Sequence, residues 1–138
     1  MTAPDSLRLA GLDFGTTNSV AAVAHGAGAE PQLVALDGPG GPAEVFRSAL
    51  CFWREDGVRG GLDVAAGSAA IHEYLEYPGD SRFLQSFKSV AASRSFERAS
   101  IFTRPFRFEE LGRLFLEQLA GHAGGRLDRL DRLVVGRP

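Results

Sequence analysis

Lysine is nearly absent from this chain of 138 residues: lysine and arginine together number 15, and Lys88 is the one lysine. Arginine is a wide planar fork and lysine a compact point charge, so the two are not interchangeable. A composition that prefers arginine everywhere else therefore singles out position 88. Cysteine is scarce too. Cys51 is alone, which excludes an internal disulfide. Its setting in Ala49-Leu50-Cys51-Phe52-Trp53 reads as a small buried hydrophobe. No run approaches the ~20 apolar residues of a membrane-spanning helix. Asp5, Arg8 and Asp13 interrupt any apolar core of a signal peptide, so a cytoplasmic location with no membrane partner is expected. The net charge is -2, which gives no general pull toward nucleic acid.

Several site signatures are missing as well. There is no Gly-x-x-x-x-Gly-Lys-Ser/Thr loop, which excludes a Walker-type ATPase. Gly-x-Ser-x-Gly is absent, which removes the usual hydrolase elbow. The loop Asp37-Gly38-Pro39-Gly40-Gly41-Pro42 carries no Gly-x-Gly-x-x-Gly. His25, His72 and His122 are far apart and read as surface or packing residues. Arg126, Arg129, Arg132 and Arg137 interleave with Asp128 and Asp131, as on a solvated, salt-bridged face. Phe102, Phe106 and Phe108 read as packing residues of a core or a lobe interface.

What remains is an ordinary globular composition, 44% hydrophobic and 23% charged. The length fits one domain, or two small lobes sharing a core. Residues 1–6 read as a loose tail. Strands are expected over Leu7–Asp13, Ser19–Ala24 and Gln32–Leu36, joined by turns at Gly15–Asn18 and His25-Gly26. Arg47–Trp53 reads as a further strand, with a hairpin turn at Glu55-Asp56-Gly57 leading into Val58-Arg59-Gly60. Ala65–Tyr77 has a loose helical pattern stopped by Pro78-Gly79. Phe83, Phe87 and Val90 give Arg82–Ala92 an apolar face, so a second helix is expected there. Arg94–Ser100 reads as a polar connection. Leu111, Leu114, Phe115 and Leu119 line one face of a helix over Phe108–Ala123. Glu109 and Glu110 suit its positive end, and Gly121, Gly124 and Gly125 mark its close. Arg132–Gly136 reads as a short buried strand. Strands, then helices, then a strand predict a mixed α/β sheet whose last strand returns to the first three.

The turn between the first two strands has the chemistry of a phosphate cradle. Binding polyphosphate requires bare backbone N–H groups facing one concavity, short hydroxyls, and a carboxylate that holds Mg²⁺ through water. Asp13, Gly15, Thr16, Thr17 and Asn18 supply all three within six residues, with the carboxylate fixed at a strand end. By residue type alone the same pattern is also an acceptable hairpin connection.

Gly11-Leu12-Asp13-Phe14-Gly15-Thr16-Thr17-Asn18-Ser19 resembles the first phosphate motif of the DnaK-type seventy-kilodalton heat-shock chaperones, members of the actin-like ATPase superfamily. Further segments are similar in the same order: Arg47-Ser48-Ala49-Leu50-Cys51-Phe52, Ala66-Gly67-Ser68-Ala69-Ala70, Phe83-Leu84-Gln85-Ser86-Phe87-Lys88-Ser89, Phe108-Glu109-Glu110-Leu111 and Leu133-Val134-Val135-Gly136-Arg137-Pro138. The Leu-Gln-Ser-Phe-Lys-Ser wording and the Gly-Arg-Pro ending look closest to the divergent bacterial YegD-type branch.

The resemblance implies an actin-like ATPase (ribonuclease H-like) N-terminal lobe. Its core would be residues 7–37 and 105–138, with a small α+β subdomain inserted over 38–104. It implies ATP or ADP and Mg²⁺ as cofactors. Asp13 would hold Mg²⁺ through water, and Gly15, Thr16, Thr17 and Asn18 would wrap the β- and γ-phosphates. Lys88 would be the catalytic lysine beside the γ-phosphate and the attacking water. A point charge on a flexible stem suits neutralisation of a moving phosphate oxygen. Asn18 stands where typical chaperones carry an aromatic residue, so no stacking role carries over.

The family's second phosphate motif, its other catalytic carboxylate and its adenosine motif are not in this chain. The expectation is therefore an incomplete domain, a fragment or truncation of a longer protein. Alone it is expected to bind ATP weakly or not at all and not to turn over. Unfolded-protein clients and co-chaperones would engage parts absent here. Two other readings stay open: a carbohydrate or polyol kinase sharing the Asp-x-Gly-Thr-Thr turn, and a truncated, non-enzymatic interaction module.

Overall fold

The structure, a computed structural model, describes residues 7–58, 60–86 and 98–136. In chain order these form β1 (Arg8–Phe14), β2 (Asn18–His25), β3 (Gln32–Leu33), β4 (Phe46–Arg47), β5 (Ala49–Arg54), β6 (Leu62–Ala66), α1 (Ser68–Glu76), β7 (Ser81–Gln85), β8 (Ala99–Ile101), β9 (Arg104–Phe106), α2 (Phe108–His122) and β10 (Arg132–Gly136). The fold is mixed α/β. Among the described residues, no helix is long and apolar enough to cross a membrane.

The first sheet has the order β10-β1-β2-β3, with β4 also paired to β2. β1 and β2 form an antiparallel hairpin, Phe14 opposite Ser19. β10 returns parallel to β1, Gly11 opposite Val134 and Asp13 opposite Gly136. Side chains alternate across a strand. Ala10 and Leu12 of β1 and Ala21 and Val23 of β2 are buried on one face. That face meets α2, whose Leu111, Phe115 and Leu119 are buried one turn apart. Each such side chain contributes about 1.5–3 kcal/mol by leaving water. Phe115 stacks on Phe14 with ring centroids 5.1 Å apart and tilts against Phe46 at 5.5 Å.

The second sheet runs β6-β5-β7, antiparallel throughout. Its middle strand is covered on both faces, which explains the unbroken apolar run Ala49-Leu50-Cys51-Phe52, all buried. Leu50 and Phe52 join the main core with Phe106 and α2. Ala49 and Cys51 face Ala70 of α1, and Tyr74 stacks on Phe83 at 5.0 Å. The hairpin β8–β9 pairs on its own, Ile101 opposite Arg104, and Phe52 meets Phe106 at 5.2 Å.

Several local expectations change. The strand expected over Arg47–Trp53 is divided at Ser48 into β4 of the first sheet and β5 of the second, and β8 begins at Ala99, inside the expected polar connection Arg94–Ser100. Ser81–Gln85 is a strand where the spacing predicts the start of a helix. Its five residues pair with Ala49–Trp53, and a buried central strand needs ladder partners on both edges. The rest of the expected helix, from Phe87 to Ala92, lies outside the described residues.

Ala65 and Ala66 belong to β6, opposite Cys51 and Leu50. Helix α1 starts only at Ser68, after Gly67 turns the chain at φ 67. A Cβ on Gly67 would strike the Phe46 ring, so only glycine fits the reversal. The β5–β6 turn is longer than expected: the Glu55 N–H donates to the Gly61 carbonyl at 3.1 Å, and β6 begins at Leu62. The third strand pairs only over Gln32–Leu33. Beyond it, the Val34 N–H still donates to Ala21 at 2.8 Å and Leu36 bridges Ala43. β10 forms as expected but is not buried: as an edge strand it leaves Leu133, Val134 and Val135 exposed by 54%, 68% and 53%.

Candidate phosphate-binding turn

The β1–β2 hairpin closes through Gly15, Thr16, Thr17 and Asn18. A Cβ on Gly15 would strike the backbone carbonyl oxygen of Asn18, which cannot move aside without opening the hairpin. Position 15 therefore admits only glycine.

A neighbouring segment holds the turn from below. Asn18 pairs with Arg47, and Ser19 with Phe46. The Ser48 N–H donates to the Thr17 carbonyl at 2.9 Å. The Ser48 hydroxyl donates to the Gly15 carbonyl at 2.7 Å and lies 2.9 Å from the Ser19 hydroxyl. Ser19 and Ser48 are both buried. A serine hydroxyl has one hydrogen. Since that of Ser48 goes to Gly15, Ser19 must donate to Ser48. The relay Ser19→Ser48→Gly15 fixes the base of the turn and leaves Thr17 and Asn18 exposed and Thr16 half-exposed above it.

Asp13 is the next-to-last residue of β1, on the face opposite α2. Its ladder neighbours are Val20 and Gly136, and it is exposed. A shallow concavity of about 310 Å³ opens over this face, lined by Gly11, Asp13, Val20, Ala22, Val134 and Gly136. Gly11 and Gly136 put no side chain beside the carboxylate. A cation that keeps several of its waters needs such room, so the surroundings of Asp13 fit a water-mediated Mg²⁺ contact.

Asp13 and Gly15–Asn18 are thus contiguous on one end of the first sheet. Lys88 lies outside the described residues. A cavity of about 700 Å³ lies elsewhere, between Trp53, Tyr77 and Phe102. The residues that sequence reasoning missed are Ser19 and Ser48. Ser48 is 33 positions from Gly15, and only the β2–β4 pairing brings it there.

The other singled-out residues are surface or packing groups, and among the described residues Arg126, Arg129 and Arg132 form no ion pair with Asp128 or Asp131, so the face expected to be salt-bridged is held by bonds to backbone instead. Cys51 is fully buried, and burial pushes its thiol up from the usual value. The Nδ1 of His122 meets the Asp37 carbonyl at 2.5 Å, and its ring lies 5.3 Å from that of Phe46. His72 sits 3.7 Å from Glu76 one turn on, and His25 is exposed at the end of β2. Arg126 donates to the carbonyls of Ala35 and Ala123, while the Asp131 carboxylate accepts from the Arg8 backbone at 2.7 Å. These groups tie the return of β10 to the start of β1.

No family model matches the chain, and no curated protein matches it.

Proposed function

We propose that this chain is the N-terminal portion of an ATP-binding, ATP-hydrolysing, chaperone-like protein with an actin-like ATPase core. The observation that carries the reading is the pairing of Asp13 with the Gly15 turn. An exposed carboxylate near a strand end, with Gly136 beside it on one edge and Val20 on the other, adjoins a hairpin whose first position excludes any side chain. A plain hairpin connection needs neither the carboxylate nor the buried serine relay beneath it.

In this reading the backbone N–H groups of Gly15–Asn18 and the hydroxyls of Thr16 and Thr17 take the β- and γ-phosphates. Asp13 holds Mg²⁺ through water. Bound Mg²⁺ supplies charge neutralisation to the phosphates. Lys88 is assigned the γ-phosphate side of the reaction, on the sequence resemblance alone.

The test is Mg-ATP titration and turnover in the full-length protein. Lys88→Ala is expected to keep binding and lose about 10²-fold or more in hydrolysis. Asp13→Ala is expected to weaken the Mg²⁺-dependent part of binding. Equal turnover with and without Lys88 refutes its role. Binding that ignores both Mg²⁺ and Asp13 refutes the site. Transfer of the γ-phosphate to an added polyol moves the assignment to a kinase.

A further inference from the structure

β10 is the outer strand of the first sheet, and among the described residues no strand pairs with its free edge. Such an edge presents unpaired N–H and C=O groups, and proteins usually guard it with lysine, proline or a bulge. Leu133-Val134-Val135-Gly136 has none of these, and its register with β1 is unbroken. Both faces beside the edge are open and apolar. Strand alternation puts Leu133 and Val135 on the α2 side. With Leu116, Leu127 and Leu130 they line a groove of about 210 Å³ that is apolar throughout. Val134 and Gly136 lie on the other side, with Asp13.

The edge is complementary to itself. Two strands related by a two-fold axis pair antiparallel, and opposed residues share a face. An axis through Val134 sets Leu133 against Val135 on the α2 side, Val134 against its own copy on the other, and Arg132 against Gly136. Every apolar residue then meets an apolar one. An axis through Leu133 would instead set Val135 against Asp131. The charges fit the same register. Gly136 is the ladder neighbour of Asp13, so Arg132 of the second copy comes two strand spacings, about 9–10 Å, from Asp13 on one face. Only a glycine lies between them, and extended arginine and aspartate side chains together bridge that span. The ion pairs among the described residues are His72–Glu76 and Arg113–Glu117, so neither Asp13 nor Arg132 has one within its own chain there.

We propose that two copies of this chain dimerise by antiparallel pairing of β10 with β10 across Val134. The two first sheets become one, Leu133 and Val135 of each copy cover the apolar groove of the other, and Arg132 of each copy meets Asp13 of the other. The proposal does not rest on nucleotide binding. Asp13 is also the carboxylate assigned to Mg²⁺ above, so the paired form is the nucleotide-free one. A five-residue ladder with its flanking grooves is at the low end of specific interfaces, so a dissociation constant on the order of 10 µM is expected.

The test is sedimentation velocity of the 138-residue chain in EDTA without nucleotide. A concentration-dependent dimer is expected. Val134→Lys, at a position 68% exposed, should be monomeric with unchanged circular dichroism. Arg132→Glu should weaken the dimer about tenfold, and adding Asp13→Arg should recover most of that loss. Cysteines read the register. Opposed residues have Cα atoms about 4.5–5.5 Å apart, within disulfide reach. Val134→Cys should therefore link to its own copy on mild oxidation. Leu133→Cys should link slowly alone and readily when mixed with Val135→Cys. Native Cys51 is fully buried and stays out of the reaction. A chain that remains monomeric up to about 100 µM, ten times the expected constant, overturns the proposal and leaves β10 to a segment of a longer protein. Equal linkage at positions 133, 134 and 135 overturns it too, since that is unregistered edge aggregation. A charge exchange that recovers nothing refutes the contact between Arg132 and Asp13.

Discussion

Replacing Ser48 with alanine should cost far more stability than replacing Ser19, although the two hydroxyls touch. The relay runs one way. Ser48 donates to the Gly15 carbonyl at 2.7 Å and accepts from Ser19 at 2.9 Å. Ser48→Ala deletes both bonds and orphans two groups, the Gly15 carbonyl and the fully buried Ser19 hydroxyl. A net hydrogen bond contributes about 1 kcal/mol, and a buried group left without a partner costs about 1–3 kcal/mol. Ser48→Ala should therefore destabilise by about 2–4 kcal/mol. Ser19→Ala removes one bond, and Ser48 still donates to Gly15, so about 1 kcal/mol is expected. In the double variant the Ser19 orphan no longer exists, so the double should cost about 1 kcal/mol less than the two singles added.

Urea unfolding followed by circular dichroism reads these values. With slopes of about 1–3 kcal/mol/M for small proteins, Ser48→Ala should lower the midpoint by about 1 M or more at constant slope. The donor order is wrong if Ser19→Ala costs as much as Ser48→Ala, or if the double variant is simply additive. The Ser48 N–H bond to Thr17 survives the substitution, so β4 should stay docked and only the turn should loosen.

Two further outcomes follow from the core. Phe115 is fully buried between Phe14 and Phe46, so Phe115→Ala should cost about 3–5 kcal/mol by urea unfolding; a loss under 1 kcal/mol would show that α2 does not join the sheets. The buried Cys51 thiol has a pKa raised above 9.0. The folded state therefore holds this proton where the unfolded chain has released it. Its contribution is complete below pH 9 and is lost as pH rises through the raised value. The urea midpoint should fall between pH 8 and pH 10 more in the native chain than in Cys51→Ala; parallel falls would refute the assignment.

The elements best legible in the sequence are those whose pattern and partners are local. Leu111, Phe115 and Leu119 mark α2 by spacing alone, and all three are buried. The β1–β2 hairpin is announced by two alternating strands around a glycine turn. Ser81–Gln85 was misleading because Phe83 and Phe87 sit four apart, as on a helix, while its pairing partner β5 is about 30 residues away in sequence. Long-range ladder bonds outweigh local periodicity there. The exposure of β10 is hidden from the sequence for a related reason. Leu133-Val134-Val135 has the unbroken apolar character of a strand covered on both faces, yet sequence does not say what lies beyond its outer edge.

For the site, residue type announced the top of the turn and hid its foundation. Asp13, Gly15, Thr16 and Thr17 are recognisable because phosphate chemistry needs those groups together. Ser48 carries no such mark. Within Arg47-Ser48-Ala49 it reads as one polar residue in a strand, and its function is topological, since β4 reaches β2 only after the loop at Asp37–Pro42. Yet the Gly15 carbonyl is the atom that sets how the following N–H groups point, and Ser48 holds it. A phosphate cradle is a set of directions for backbone dipoles, so the side chain that fixes those directions matters as much as the residues that would touch the ligand. Ser48→Ala should then weaken any Mg-ATP binding at this turn even though Ser48 is buried away from it. Ser19→Ala, which leaves the Gly15 carbonyl held, should not. That contrast separates a cradle from a plain hairpin, for which both substitutions change stability alone.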